Sequence, residues 1–207
     1  MIIGNSNVGK TSITKLLLPN PHKFKGKSGK HPGSTLLIRP ISQNNMPYQI
    51  VDLPGFGFMT KLSHRREEHI KSQVVLHIER NYQTYFLSLI VINILRIEDE
   101  LNKYFVQNKN TIPLSFELIK FIDELGLPLL ILFNKIDKVS NYDIKKNIAL
   151  FLKYSKEYGL NLIYLDDYDS KNGSSVPYLE FSALKKTNFN KLLKFITFTF
   201  NESKLLK

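Results

Sequence analysis

The 207-residue chain has no cysteine, which removes disulfides and zinc–thiolate centres from consideration. It also has no apolar run of membrane-spanning length. The longest, FLSLIVINIL at 86 to 95, falls well short of the ~20 residues that cross a bilayer and reads instead as a buried strand. No charged leader with an apolar core and a cleavage site opens the chain, so a cytoplasmic protein without membrane contact is expected. Acidic residues are scarce beside basic ones, 18 against 29, and the surplus of +11 favours a polyanionic partner. Neither repeats nor a linker interrupt the sequence, and 43% apolar content suffices for a sizeable core, so residues 1–207 are expected to form one domain.

What is present begins at GNSNVGKTS. Gly4, Gly9, Lys10 and Thr11 satisfy G-x-x-x-x-G-K-[ST] directly after the apolar stub MII, the strand–loop–helix setting that this phosphate-binding loop requires. The two glycines let successive N–H groups of Asn5, Ser6, Asn7 and Val8 turn inward toward phosphate oxygens, while the helix opening at Lys10 aims its positive end there. Lys10 would bridge the terminal phosphates and Thr11 would ligate Mg²⁺.

A second stretch, LFNKID, follows the apolar run LPLLILF, so Asn134, Lys135, Ile136 and Asp137 are delivered to the carboxyl end of a buried strand. A carboxylate at Asp137 can accept from both N1–H and the 2-amino group of guanine, whereas adenine lacks that paired donor edge. YQIVDLPG places Asp52 at a strand end, where it would hold a Mg²⁺-bound water, with Leu53 and Pro54 leading to Gly55, whose N–H would reach a γ-phosphate. KHPGST offers Gly33, Ser34 and Thr35, followed by Leu36 and Leu37; the Thr35 hydroxyl would complete the Mg²⁺ and γ-phosphate contacts only with triphosphate bound. EFSALKK supplies Phe181, Ser182, Ala183 and Leu184 as a loop whose backbone could touch guanine O6.

In this order the motifs resemble the translation-factor-related P-loop GTPases, and among them the EngB (YihA/YsxC) family of ribosome-assembly GTP-binding proteins. The specific pieces are SNVGK at Ser6 to Lys10, PGST at Pro32 to Thr35, and DLPGFGF at Asp52 to Phe58. Departures from the family pattern fall at Asn5, Asn93 and Asn134. The resemblance implies a GTP- and GDP-binding, Mg²⁺-dependent GTPase acting as a switch in assembly of the large ribosomal subunit, with Lys10, Thr35, Gly55 and Asn7 in catalytic roles and Thr11, Thr35 and Asp52 around the metal.

In Ras-like enzymes the residue after the D-x-x-G glycine is a water-orienting glutamine; here it is Phe56, which cannot position water by hydrogen bonding. Asn7 matches an asparagine that binds K⁺ in related GTPases, where the ion offsets transition-state charge. Slow basal hydrolysis stimulated by K⁺ or by a ribosomal partner is therefore expected, from a monomer. A nucleotide-gated binding module with negligible hydrolysis, or a GTPase acting on tRNA or another translation-linked partner, are the alternatives. An ATP-using kinase or transport ATPase would need adenine recognition, against which NKID argues. Ribosomal RNA is the favoured polyanion, through basic residues within 22–30 and through Lys185, Lys186, Lys191 and Lys194, although no RNA-reading motif with base-stacking aromatics is visible.

Apolar candidates at 1–4, 35–41, 47–53, 86–93, 128–134 and 178–182 alternate mostly with helical patterns. They predict a three-layer α/β sandwich: a mostly parallel six-stranded sheet with one antiparallel strand, and helices on both faces. The short link from 41 to 47 joins strands two and three as a hairpin. Leu114, Leu118, Phe121, Ile122 and Leu125 are expected on the buried face of one helix, and Phe189, Leu192, Leu193, Ile196 and Phe200 on that of the last. Residues 166–175 read as a loop, and 96–111 fits either loop or helix.

Overall fold

Ser88–Asn93 and Leu129–Asn134 are buried at every position. Unbroken apolar runs of this kind form interior strands of a parallel sheet covered on both faces. The computed structural model of the protein describes residues 1–24, 38, 40–55, 64–104, 112–170 and 175–205, of which 64–67 by their backbone only. Its strands are β1 (Ile2–Gly4), β2 (Pro40–Ile41), β3 (Ile50–Val51), β4 (Ser88–Asn93), β5 (Leu129–Asn134), β6 (Leu162–Tyr164) and β7 (Val176–Phe181). Its helices are α1 (Lys10–Leu17), α2 (His64–Asn81), α3 (Ile97–Asn102), α4 (Leu114–Glu124), α5 (Asn141–Glu157) and α6 (Phe189–Leu205).

Five strands pair in parallel in the order β1-β4-β5-β7-β6. The expected hairpin is present, with Pro40 opposite Val51 and Ile41 opposite Ile50. It does not extend the sheet as a sixth, antiparallel-paired member, as the sequence suggested. β3 touches β1 through one parallel bridge, Ile2 to Asp52, supported by the Leu53 N–H donating to the Ile2 carbonyl at 3.0 Å. The edge strand β6 has no counterpart among the candidates, because three half-buried residues are too few to show a period.

Side-chain alternation along the strands builds the two outer layers. Ile90, Ile92, Ile131 and Phe133 face the cluster that holds Val74 and Ile78 of α2, Ile97 of α3, Phe116 and Ile119 of α4 and Phe151 of α5. Leu89, Val91, Leu130 and Leu132 face Ile13 of α1 and Leu192, Phe195 and Ile196 of α6. Phe151 sits edge-on to both Phe116 at 4.8 Å and Phe133 at 5.1 Å, locking α4 and α5 onto β5.

Two helix faces are rotated from the sequence expectation. In α4 the buried positions are Ser115, Phe116, Leu118, Ile119 and Ile122, while Leu114, Phe121 and Leu125 are only partly covered. In α6 Phe195 and Thr199 are buried with Leu192 and Ile196. Phe200 instead packs across the base of the sheet against Tyr48 and Phe86. Part of 96–111 is helical, as α3; residues 105–111 lie outside the described residues, as do 171–174 of the expected loop, whose start forms a 3-10 turn at Leu165–Asp167.

Candidate nucleotide site

Gly4 ends β1 at φ +146°, and a Cβ there would run into the Val91 carbonyl of β4, so the chain can cross the top of the sheet only with glycine. The loop turns through Asn7 at φ +62° and Gly9 at φ +104°, and α1 starts at Lys10. The Lys10 side chain folds back beneath the loop: its Nζ donates to the carbonyls of Gly4 at 3.0 Å and Asn5 at 2.9 Å. Burial lowers its pKa from 10.5 to about 8, with the nearby Asp52 carboxylate opposing that shift.

Asp52 follows β3 and is 5% exposed. Its Oδ2 accepts from the Thr11 hydroxyl at 3.2 Å, whereas Oδ1 is buried with no hydrogen-bond partner. Burial raises this carboxyl's pKa, and the Lys10 ammonium and the Thr11 hydroxyl pull it back. Leu53 and Pro54 are buried behind it. Gly55 then lies flat on the phosphate loop, where a Cβ would stand 2.8 Å from Ser6 Oγ and 2.9 Å from Ser6 N.

The loop after β5 is fastened to this cradle. Asn134, 2% exposed, donates from Nδ2 to the Val8 carbonyl at 2.7 Å and accepts at Oδ1 from the Ala183 N–H at 3.0 Å. Lys135, in the left-handed region at φ +72°, reaches over the loop to the Asn7 carbonyl at 2.5 Å. Desolvation, then the nearby Arg96 and Lys138, lower its pKa. Ile136 and Asp137 occupy a 3-10 turn. Asp137 Oδ1 accepts from the Ser182 hydroxyl at 2.5 Å, and Ser182 Oγ accepts from the Lys185 N–H at 3.0 Å. Phe181 is buried at the end of β7, and Leu184 is 70% exposed at the rim.

Three of the motif stretches, Gly4–Thr11, Asp52–Gly55 and Asn134–Asp137, thus meet with Phe181–Ala183 at the carboxyl ends of β1, β5 and β7, the edge where open α/β sheets bind ligands. Gly33, Ser34, Thr35, Leu36, Leu37 and Phe56 lie outside the described residues. Behind the phosphate loop is a cavity of about 20 Å³, lined in part by Gly4, Asn5, Asn93, Arg96, Glu100 and Ser115. Glu100, which the motifs did not single out, accepts from the Ser115 hydroxyl at 3.0 Å. It fell in a stretch without clear periodicity.

The family described as "50S ribosome-binding GTPase" matches residues 1–135, which include the phosphate loop, DLPG and the first residues of NKID. Among curated relatives, the probable GTP-binding protein EngB of Methanococcus aeolicus is 34% identical over 155 residues, 73% of this chain and 65% of that protein. Its counterpart in Methanosarcina barkeri is 34% identical, over 67% of this chain and 63% of its own length. This chain therefore spans less than two thirds of the length of these two relatives. The counterpart in Haloarcula marismortui is 31% identical over 71% of this chain and 69% of its own length. A crystal structure of a probable GTP-binding protein engB superposes with a TM-score of 0.73 at 27% identity, covering 97% of both chains. Among the described residues no helix is long and apolar enough to cross a membrane. Sharing this fold with a solved probable EngB protein, and residues 1–135 with the family model, the chain belongs to the 50S ribosome-binding GTPase family, as an EngB-type GTP-binding protein.

Proposed function

We propose that residues 1–207 act as a single GTP-binding domain that hydrolyses GTP to GDP and phosphate and serves as a switch in assembly of the large ribosomal subunit. The observation that carries the reading is the attachment of the NKID loop to the phosphate loop through Asn134 and Val8. That attachment supports a site in which phosphates lie in the N–H cradle while the Asp137 carboxylate takes the two guanine donors. A site built to bond those donors rejects analogues lacking them, because its own polar groups would be left unpaired. Guanine O6 would compete with Asn134 for the Ala183 N–H.

Lys10 would exchange its two carbonyl partners for β- and γ-phosphate oxygens. The Thr11 hydroxyl and the Asp52 carboxylate fit Mg²⁺: both are hard oxygen donors, and Asp52 Oδ1 is a buried atom without a partner. Bound there with Thr35, the ion would neutralise charge on the β and γ phosphates. The Gly55 N–H would meet the γ-phosphate and bind only the triphosphate state. Water attack breaks the bond between the γ-phosphorus and the bridging oxygen, and the charge that develops needs a stabiliser that Phe56 cannot supply. Asn7 is exposed and could hold K⁺ for that purpose. Phe56 also supports the second reading, a nucleotide-gated binder that scarcely hydrolyses.

Single-turnover hydrolysis in K⁺ and in Na⁺, with and without large ribosomal subunits, separates the two. Acceleration by the ion or the particle is expected; no turnover under any condition leaves only the gated binder. Equal rates in the two salts remove the K⁺ role. Co-sedimentation with the particle under GDP and under a non-hydrolysable GTP analogue tests the switch. Calorimetry showing no heat with either nucleotide overturns the whole reading.

A further inference from the structure

The buried positions of α5, Ile144, Asn147, Ile148, Phe151 and Ser155, share one arc of the helix. At about 100° per residue the opposite arc carries Tyr142, Lys145, Lys146, Ala149, Lys153 and Lys156, all exposed. Tyr142 is 75% exposed, among the most accessible large side chains described. Glu157, at the C-terminal end, is the one carboxylate on this arc, and exposed Lys138 precedes the helix.

Ordinary solvated helix faces mix signs, as α4 does with Glu117, Lys120, Asp123 and Glu124. Two of the acids near α5 are already engaged. Asp143 accepts from the capping Ser140 hydroxyl at 2.6 Å, and Glu98 of α3 pairs with Lys146 at 3.0 Å. Among the described residues Lys145, Lys153 and Lys156 have no carboxylate within ion-pair distance. Lys153 instead lies 5.5 Å from the Tyr154 ring centroid. The three are spread over about 16 Å of helix, the reach of several successive phosphates on one strand.

We propose that the outer face of α5 docks the phosphate backbone of RNA, with Lys145, Lys153 and Lys156 each neutralising a phosphate and Tyr142 meeting an adjacent unpaired nucleotide. A lipid surface fits poorly, because this arc carries no Leu, Ile, Phe or Trp and the apolar arc is committed to the core. The choice of RNA over an acidic protein rests on the ribosome-linked reading above and on the net charge of +11. Neither Thr35 nor Gly55, the residues expected to meet the γ-phosphate, belongs to α5, so the contact is expected to be independent of which guanine nucleotide is bound.

The test measures binding of the full chain to a synthetic RNA hairpin with an unpaired loop, by fluorescence anisotropy across a KCl series. The variant K145A/K153A/K156A should reduce the slope of log affinity against log salt by about two to three, equally with GDP and with a GTP analogue. Arginine at the same three positions should restore the slope. Removing the same charge elsewhere, in K71A/K120A/K204A, should change it less. An unchanged slope, equal losses in the two alanine triples, no binding of wild-type protein to RNA, or preferential binding to anionic vesicles or to an acidic polypeptide would each overturn the proposal. Calorimetry with GDP serves as the folding control. Loss of GDP heat in wild-type protein would sink the nucleotide reading and leave the RNA result standing by itself.

Discussion

Asn134 and Val8 lie 126 positions apart, yet the amide of one donates to the carbonyl of the other at 2.7 Å. With Ala183 bonded to the same side chain, one buried residue joins three loops. Asn134→Ala would leave the Val8 carbonyl and the Ala183 N–H without partners, at about 1–3 kcal/mol for the buried Val8 carbonyl and less for the partly exposed Ala183 N–H. Denaturant unfolding should show that loss. Calorimetry should show GDP and GTP weakened alike, since the cradle rather than the γ-phosphate contact is loosened.

Asp137→Asn turns one acceptor oxygen into a donor. Preference should move from GTP toward xanthosine triphosphate, whose 2-oxo group accepts that bond. Competition binding with the two triphosphates measures the shift, and unchanged GTP affinity would remove Asp137 from the base site. The same variant can keep the Ser182 hydroxyl bond through its remaining carbonyl, so thermal stability should change little.

At Gly4 the constraint is backbone against backbone, for a Cβ would overlap the Val91 carbonyl at a φ of +146°. Gly4→Ala should open the β1–β4 junction under the phosphate loop and cost more than the ~1–3 kcal/mol typical of strained φ alone. Reduced melting temperature together with lost GDP binding is the expected pair of results. A variant that binds GDP normally would mean that the junction gives way without cost.

Burial raises the pKa of Glu100 above its ordinary 4.5, while the Ser115 hydroxyl, Arg96 and Lys103 act in the other direction. The folded protein holds that proton to higher pH than the unfolded chain. The associated stability is complete below about pH 4.5 and is lost as pH rises through the folded-state value. Glu100→Gln keeps an acceptor for Ser115 and should be more stable than wild type near neutral pH, with the difference fading toward pH 4.5. Melting temperatures across that range decide it. A constant difference would assign the effect to packing.

Several features were legible in the sequence for a local reason. The phosphate loop, DLPG and NKID are each contiguous strand-to-loop stretches, and β4 and β5 stood out as unbroken apolar runs. Phase and partnership were less accessible. In α4, apolar residues occur around most of the helix, so periodicity alone selected Leu114, Phe121 and Leu125. Packing against α3, α5 and β5 instead buries Phe116 and Ile119, and Ser115 turns inward to bond Glu100. The hairpin was foreseen from its short link. That β3 meets β1 at a single bridge depends on how far two short strands can run beside the sheet.

The sequence by itself determined the strand-to-loop turn at Gly4–Thr11 and the placing of Asp137 just past the end of β5, because backbone curvature at Gly4 and Gly9 and the delivery of Asp137 by an apolar strand depend on neighbouring residues. Only the tertiary structure decided that Asn134, Lys135 and Ser182 tie those segments into one rim, and that α5 turns four lysines and a tyrosine outward. The order β1-β4-β5-β7 brings distant loop ends within bonding range, and burial of the opposite arc fixes which side of a helix meets solvent; neither is a property of contiguous residues.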